Sequence, residues 1–225
     1  MERTNKEPIF NKAVIIRFML MLIANVILAV GIFLLRMSSF GTDPFNCMNL
    51  GVSSHLPISY GTYQLLVNLV LFIPLVILKP RIFGMGAIVN MFGLAYIVEF
   101  CTWTAGQFGI TIEGLLGNMP VRIVLLIAGL VALCFGVALY MECDMGTAAY
   151  DALGQVVDER THGKLQFRWV RVATDIICIA IGFFTGSVVG IATLVAGFFT
   201  GPLVAFFRKH MHLEKLKLAK PVADN

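Results

Sequence analysis

Residues 31–46 read GIFLLRMSSFGTDPFN, and 105 positions later residues 136–151 read GVALYMECDMGTAAYD. At that constant offset Gly31 falls on Gly136, Leu34 on Leu139 and Gly41-Thr42 on Gly146-Thr147. Phe45 falls on Tyr150, and Asn46 on Asp151. Upstream, Arg17 falls on Arg122. Downstream, with small changes of offset, Asn68 falls on Asp175, and Gly86 with Gly93 on Gly190 with Gly197. Leucines match one another cheaply in an apolar chain. The glycines, the Gly-Thr pairs and the Asn/Asp pairs therefore carry the signal, and they point to two related halves.

The solvent of those halves follows from composition. Of the 225 residues, 58% are hydrophobic and 13% charged, against about 25% charged in an ordinary soluble domain. The mean hydropathy is +0.86. So few polar side chains cannot cover a water-exposed surface, and lipid resolves the mismatch. The net charge is +4, and seven basic or histidine side chains crowd residues 208–220. That cluster follows a long apolar segment directly, which reads as a juxtamembrane tail facing anionic lipid rather than a nucleic-acid site. The five cysteines (Cys47, Cys101, Cys134, Cys143, Cys178) form no CxxC pair and lie mostly in apolar surroundings. They read as small hydrophobes rather than a disulfide framework or a zinc site.

A membrane-spanning helix needs ~20 mainly apolar residues. Residues 18–35 are uncharged and flanked by Arg17 and Arg36, too long a run for a signal-peptide core and without a small-x-small cleavage site, so a retained anchor is expected. Residues 58–78 form a second span, 82–98 a third that meets Glu99, and 123–141 a fourth. Residues 176–207 are charge-free for 32 positions, too long for one helix. A turn at Thr185-Gly186-Ser187 divides them into a fifth span over 166–184 and a sixth over 188–207. Residues 43–56 and 148–157 are too short to cross, since an 11-residue helix reaches only ~16 Å against a ~30 Å hydrocarbon core. Each lies at the interface or re-enters the membrane against protein.

With six spans and the N-terminus inside, basic residues concentrate on the inner side, and only Arg36 and Arg122 lie outside, as the positive-inside rule demands. Eight spans would put Lys79 and Arg81 outside. Three spans per half force the halves into opposite orientations, a transporter plan in which the site lies between the repeats. The two short helices would then aim their N-termini at the centre, where free N–H groups favour anions or carboxylates. Eight spans would make the repeats parallel instead.

The chain resembles the YczE/YyaS/YitT family of bacterial membrane proteins. The likeness rests on the first-span glycine followed by Gly41-Thr42-Asp43-Pro44, and on Gly84-Met85-Gly86 leading into Asn90 and Gly93. It covers nearly the whole chain. The second half departs from it, with Ala148-Ala149 where Asp43-Pro44 stand. The resemblance implies a polytopic inner-membrane protein and brings no settled substrate or reaction.

Buried polar residues are costly in a membrane, ~2.5–3.5 kcal/mol for a central charge on insertion scales, and so mark candidate sites. Arg171 and Asp175 stand four apart on one helix face. They could clamp a substrate, or Arg171 could snorkel to the inner surface and Asp175 simply pair with it. Asn68, the repeat partner of Asp175, could face it across a pseudo-two-fold axis or act as interhelical glue. Asn25 and Asn90 read as glue. Asp43 is explained by helix capping with Pro44 behind it, whereas Asn46 and Asp151 are not and join the candidates. Glu99, beside Trp103, is an interfacial residue or a coupling carboxylate. Glu142 and Asp144 read as solvated. Mid-span Gly93 and Gly197, and Gly182 with Gly186, read as packing positions. The histidines are scattered, and no HExxH, GxSxG or Walker loop occurs.

The expected fold is an all-α polytopic membrane protein. It comprises a cytoplasmic segment 1–13, repeat 1 over 14–106, an external linker 107–119, repeat 2 over 120–207 and a cytoplasmic basic tail 208–225. The leading functional expectation is a small-solute transporter of the inner membrane, with Asn46, Asn68, Asp151, Arg171 and Asp175 as substrate-binding candidates and Glu99 for coupling. No cofactor, metal or nucleic acid is expected, and self-association is left open. The alternative is a membrane-embedded scaffold for another enzyme or exporter. An intramembrane enzyme lacks a visible nucleophile–base or metal set.

Overall fold

A computed structural model describes residues 12–79, 84–146, 148–162 and 164–211. The basic segment 1–11, Arg81, Thr147 of the second Gly-Thr pair and the tail beyond 211 lie outside the described residues. Among those described the chain is all helical: α1 (Lys12–Ser38), α2 (Pro44–Ser53), α3 (Tyr60–Leu78), α4 (Met85–Gln107), α5 (Ile112–Leu115), α6 (Met119–Glu142), α7 (Ala149–Arg160), α8 (Phe167–Phe184) and α9 (Ile191–His210). Five of these, α1, α3, α4, α6 and α9, are long and apolar enough to cross a membrane. Their outward faces carry large apolar side chains such as Val70, 71% exposed, and Ile77, 77% exposed, a surface suited to lipid. The chain is an integral, multi-pass membrane protein. Helix α8 has 18 residues and carries Arg168, Arg171 and Asp175, which set it apart from those five.

Helices α1 and α6 form the centre of the packing. A Cβ added at Gly31 would lie 2.6 Å from the Leu133 backbone nitrogen, and one at Gly136 would lie 2.9 Å from that of Leu28. The two helices therefore run antiparallel, backbone against backbone, crossing at Gly31 and Gly136. Such contact is how helices associate in lipid, where there is no hydrophobic gain from meeting. Gly93 has no such neighbour, its nearest atoms being side chains of its own helix at 4.0 Å. The packing expected there is absent, while Gly182 does sit against Cys47.

The chain reverses after both central helices. Gly41 (φ +97°) and Gly146 (φ +107°) adopt backbone that L side chains rarely take. Beside them, the Phe40 carbonyl accepts from Ala192 N–H (2.9 Å) at the start of α9, and the Met145 carbonyl accepts from Gly86 N–H (2.8 Å) at the start of α4. Gly84 and Gly190, the N-caps of α4 and α9, press on Gly146 and Gly41 respectively. These contacts match Gly84 with Gly190, two residues from the Gly86/Gly190 register expected from sequence.

Other boundaries moved as well. Helix α4 does not stop at Glu99 but runs two turns further, to Gln107. The apolar run resumes at Phe100, and the Thr102 and Thr104 hydroxyls bond back to the Val98 and Phe100 carbonyls. Glu142 is not solvated: its side chain is 6% exposed and accepts from Arg208 Nε at 2.8 Å. Asn90 donates to Asn25 (2.9 Å), tying α4 to α1.

Candidate functional site

The short helices α2 and α7 begin inside the bundle. Asp43 is the N-cap of α2, accepting from Asn46 N–H (3.2 Å), with Pro44 in the first turn. Its carboxylate also accepts from Asn46 Nδ2 at 2.6 Å. Helix α2 then runs along α8, with Cys47 against Gly182, Gly51 against Thr185, and His55 Nε2 2.9 Å from the Thr185 carbonyl oxygen. Helix α7 runs along α3 in the same way. Leu75 packs on Ala152 and Val156, and Lys79 pairs with Glu159. Each short helix is thus parallel to a longer helix from the other part of the chain.

The first turns of α2 and α7 meet. The rings of Phe45 and Tyr150 stack with centroids 4.5 Å apart. Around this contact the polar residues gather. Arg171 pairs with Asp151, holds Asp175 through Nε (3.4 Å), and places its guanidinium 4.6 Å from the centre of the Tyr150 ring. The Tyr150 hydroxyl donates to Asp175 at 2.6 Å. The Asp175 side chain is 7% exposed, whereas those of Arg171 and Asp151 are each 33% exposed, so the pair is reachable and Asp175 is sealed behind it. On the other side the Tyr60 hydroxyl donates to Asn46, whose own amide holds Asp43. Phe45, next to Asn46 in the chain, stacks on Tyr150, and this contact links the two groups.

Of the sequence candidates, Asp151, Arg171 and Asp175 form one hydrogen-bonded group, and Asn46 belongs to the adjoining one. Asn68 is buried on α3, on the face that also carries Tyr60 and Gln64 at four-residue spacing. Glu99 stands apart, accepting from the Ser59 hydroxyl (3.3 Å) at the N-terminus of α3. Sequence reasoning missed Tyr60 and Tyr150, which a repeat match of Phe45 with Tyr150 could have flagged as central. It also left two buried amides out of the site candidates. Among the described residues Asn49 has neither Oδ1 nor Nδ2 partnered, and Gln64 leaves Oε1 unpartnered. The N-terminus of α2 is capped by the protein's own carboxylate, Asp43, whereas α7 has no side-chain cap and Asp151 in its first turn pairs with Arg171.

A separate apolar cavity of about 400 Å³ lies between α1, α4, α5 and α6, lined among others by Phe33, Met37, Phe100 and Phe108.

Comparison with known proteins adds a family. The model of a family of unknown function, DUF6198, matches residues 15–209. An uncharacterized protein of Haemophilus influenzae is 27% identical over 190 residues, covering 84% of this chain and 81% of its own. The uncharacterized protein YyaS of Bacillus subtilis is 25% identical over 192 residues, covering 82% of this chain and 89% of its own. No solved structure matches.

Proposed function

We propose that this chain, which belongs to the DUF6198 family of unknown function, is a small-solute transporter with its site where the first turns of α2 and α7 meet. In this reading the molecule consists of two inverted repeats, residues 14–106 and 120–207, each with three spans and one re-entrant short helix. Helix α8 is the sixth span, with Asp175 buried in the bundle. Its 18 residues reach ~27 Å, close to the ~30 Å core. Both termini are cytoplasmic. The Phe45–Tyr150 stack carries the reading. These residues match at the 105-residue offset, and equivalent residues of inverted repeats are expected to meet near their shared axis. Next to them lies a buried ion network that is costly in lipid and that packing alone does not require. The crosswise contacts of Gly41 with Gly190 and Gly146 with Gly84 repeat the same relation.

The test is uptake of a metabolite mixture into proteoliposomes, comparing wild type with Asp175→Asn. Accumulation of at least one solute by wild type, reduced tenfold or more in the variant, is the expected result. Equal accumulation by both, or none by either, counts against transport.

The apolar cavity favours a second reading. A non-polar recess in the face of α1 and α4 suits a membrane-embedded scaffold that seats a partner helix. Such a protein would co-purify with its partner from native membranes and show no uptake.

A further inference from the structure

The two short helices hold equivalent places in the two halves but are held there unequally. At the 105-residue offset Asp43-Pro44 falls on Ala148-Ala149. Asp43 caps α2, and Pro44 suits its first turn, whereas Ala148 gives α7 no side-chain cap. Seven of the ten residues of α2 are buried, against four of the twelve in α7. Those four are Ala149, Ala152, Gly154 and Val156, none larger than valine. Stabilisation by burial grows with the apolar area covered, so α7 gains less from its place. Helix α2 packs chiefly against α3, α8 and α9, and α7 chiefly against α3 and α8 alone.

Polar bonds near its two ends hold α7 instead. At the far end Lys79 pairs with Glu159, with side chains 32% and 58% exposed, and Asp158 accepts from Phe167 N–H (3.0 Å) at the start of α8. Exposed ion pairs contribute little to stability. At the near end Asp151 pairs with the half-exposed Arg171, and the Tyr150 hydroxyl donates to Asp175. Behind this first turn lie the sealed carboxylate of Asp175 and the thiol of Cys178, which is 5% exposed with its Sγ 3.6 Å from the Tyr150 hydroxyl. Segments with little buried apolar surface and exposed polar bonds are those that open locally while the rest of a fold stays intact. In this molecule such a segment covers the buried end of the ion network.

We propose that α7 is the lid of the central cluster and α2 its fixed wall. The lid parts from α3 and α8, breaks the Lys79–Glu159 and Arg171–Asp151 pairs, and uncovers Asp175 from the side on which Lys79 lies. The inference rests on the transporter reading for its purpose, and on motion alone for its test.

The test is hydrogen–deuterium exchange of the purified full chain in detergent, read separately for α2 and α7. The amides of α7 should exchange at least tenfold faster than those of α2. Lys79→Met, which removes the exposed pair, should speed exchange in α7 at least threefold further and leave α2 unchanged. Lys79→Arg, which keeps the pair, should return α7 to the wild-type rate, and this separates a loosened lid from a loosened fold. The native Cys178 reports on the centre once the other four cysteines are replaced by serine. Its modification by a small methanethiosulfonate should rise with the exchange of α7 in Lys79→Met. Exchange in α2 as fast as in α7, an α7 rate unmoved by Lys79→Met, or unchanged protection of Cys178 would each overturn the proposal. These results in a protein that takes up no solute would leave the lid standing and sink the transporter reading alone.

Discussion

Arg171 illustrates how one side chain sets the character of the centre. Its guanidinium serves Asp151 and Asp175 together and covers the Tyr150 ring. Removing one partner of a buried ion pair costs ~3–5 kcal/mol, because the other charge is left uncompensated. Here Arg171 and Asp151 are a third exposed, which lowers that figure, but Asp175 is sealed. Arg171→Met should therefore destabilise more than Asp151→Asn, which leaves Arg171 still paired with Asp175. Melting of the two variants in detergent checks this, and the reverse order would show that the Asp151 pair dominates. The i,i+4 spacing of Arg171 and Asp175 was readable in the sequence, as was the Asp43 cap. The tyrosines were not, because an aromatic ring in an apolar run reads as packing until its hydroxyl is seen to have a carboxylate or amide beside it.

At the scale of elements, the α1–α6 crossing holds the bundle together at Gly31 and Gly136, where any side chain would strike the opposite backbone. Gly136→Leu should destabilise by at least the ~1–3 kcal/mol typical of overpacking. Gly93→Ala is the contrast: a Cβ there would meet only side chains of its own helix at 4.0 Å, and the gain in helix propensity is up to ~1 kcal/mol, so it should be neutral or stabilising. If both variants melted alike, the crossing would not be where the fold is held. The Gly31/Gly136 match was visible in the sequence, but a glycine's identity does not say whether another backbone is near. That is why Gly93 looked equivalent to it. The end of α4 was misread for a related reason. A carboxylate normally marks the edge of a span, and Glu99 instead finds the Ser59 hydroxyl and the start of α3 partway along its helix.

At the scale of the whole molecule, the proposed inversion makes a prediction about sidedness. Helix α2 runs parallel to α8, and α7 parallel to α3, each short helix starting at the Phe45–Tyr150 contact. If the repeats are inverted, α2 and α7 leave that contact toward opposite membrane faces. Ser54, just beyond α2, then lies outside, and Glu159, near the end of α7 beside Lys79, lies inside. Single cysteines at Ser54, Lys79 and Glu159, in a chain whose five native cysteines are replaced by serine, can be tested with a membrane-impermeant maleimide on intact cells. Ser54→Cys should label from outside, while Lys79→Cys and Glu159→Cys should label only after the membrane is opened. In a parallel, eight-span arrangement Lys79 would be reachable from outside, and the short helices would cross the membrane rather than turn back within it. External labelling at Lys79 would therefore remove the inversion, and with it the reason for two helix starts to meet in the middle of a bilayer. Protection of Lys79 with external labelling of Ser54 would leave the two halves facing each other across the Arg171 network.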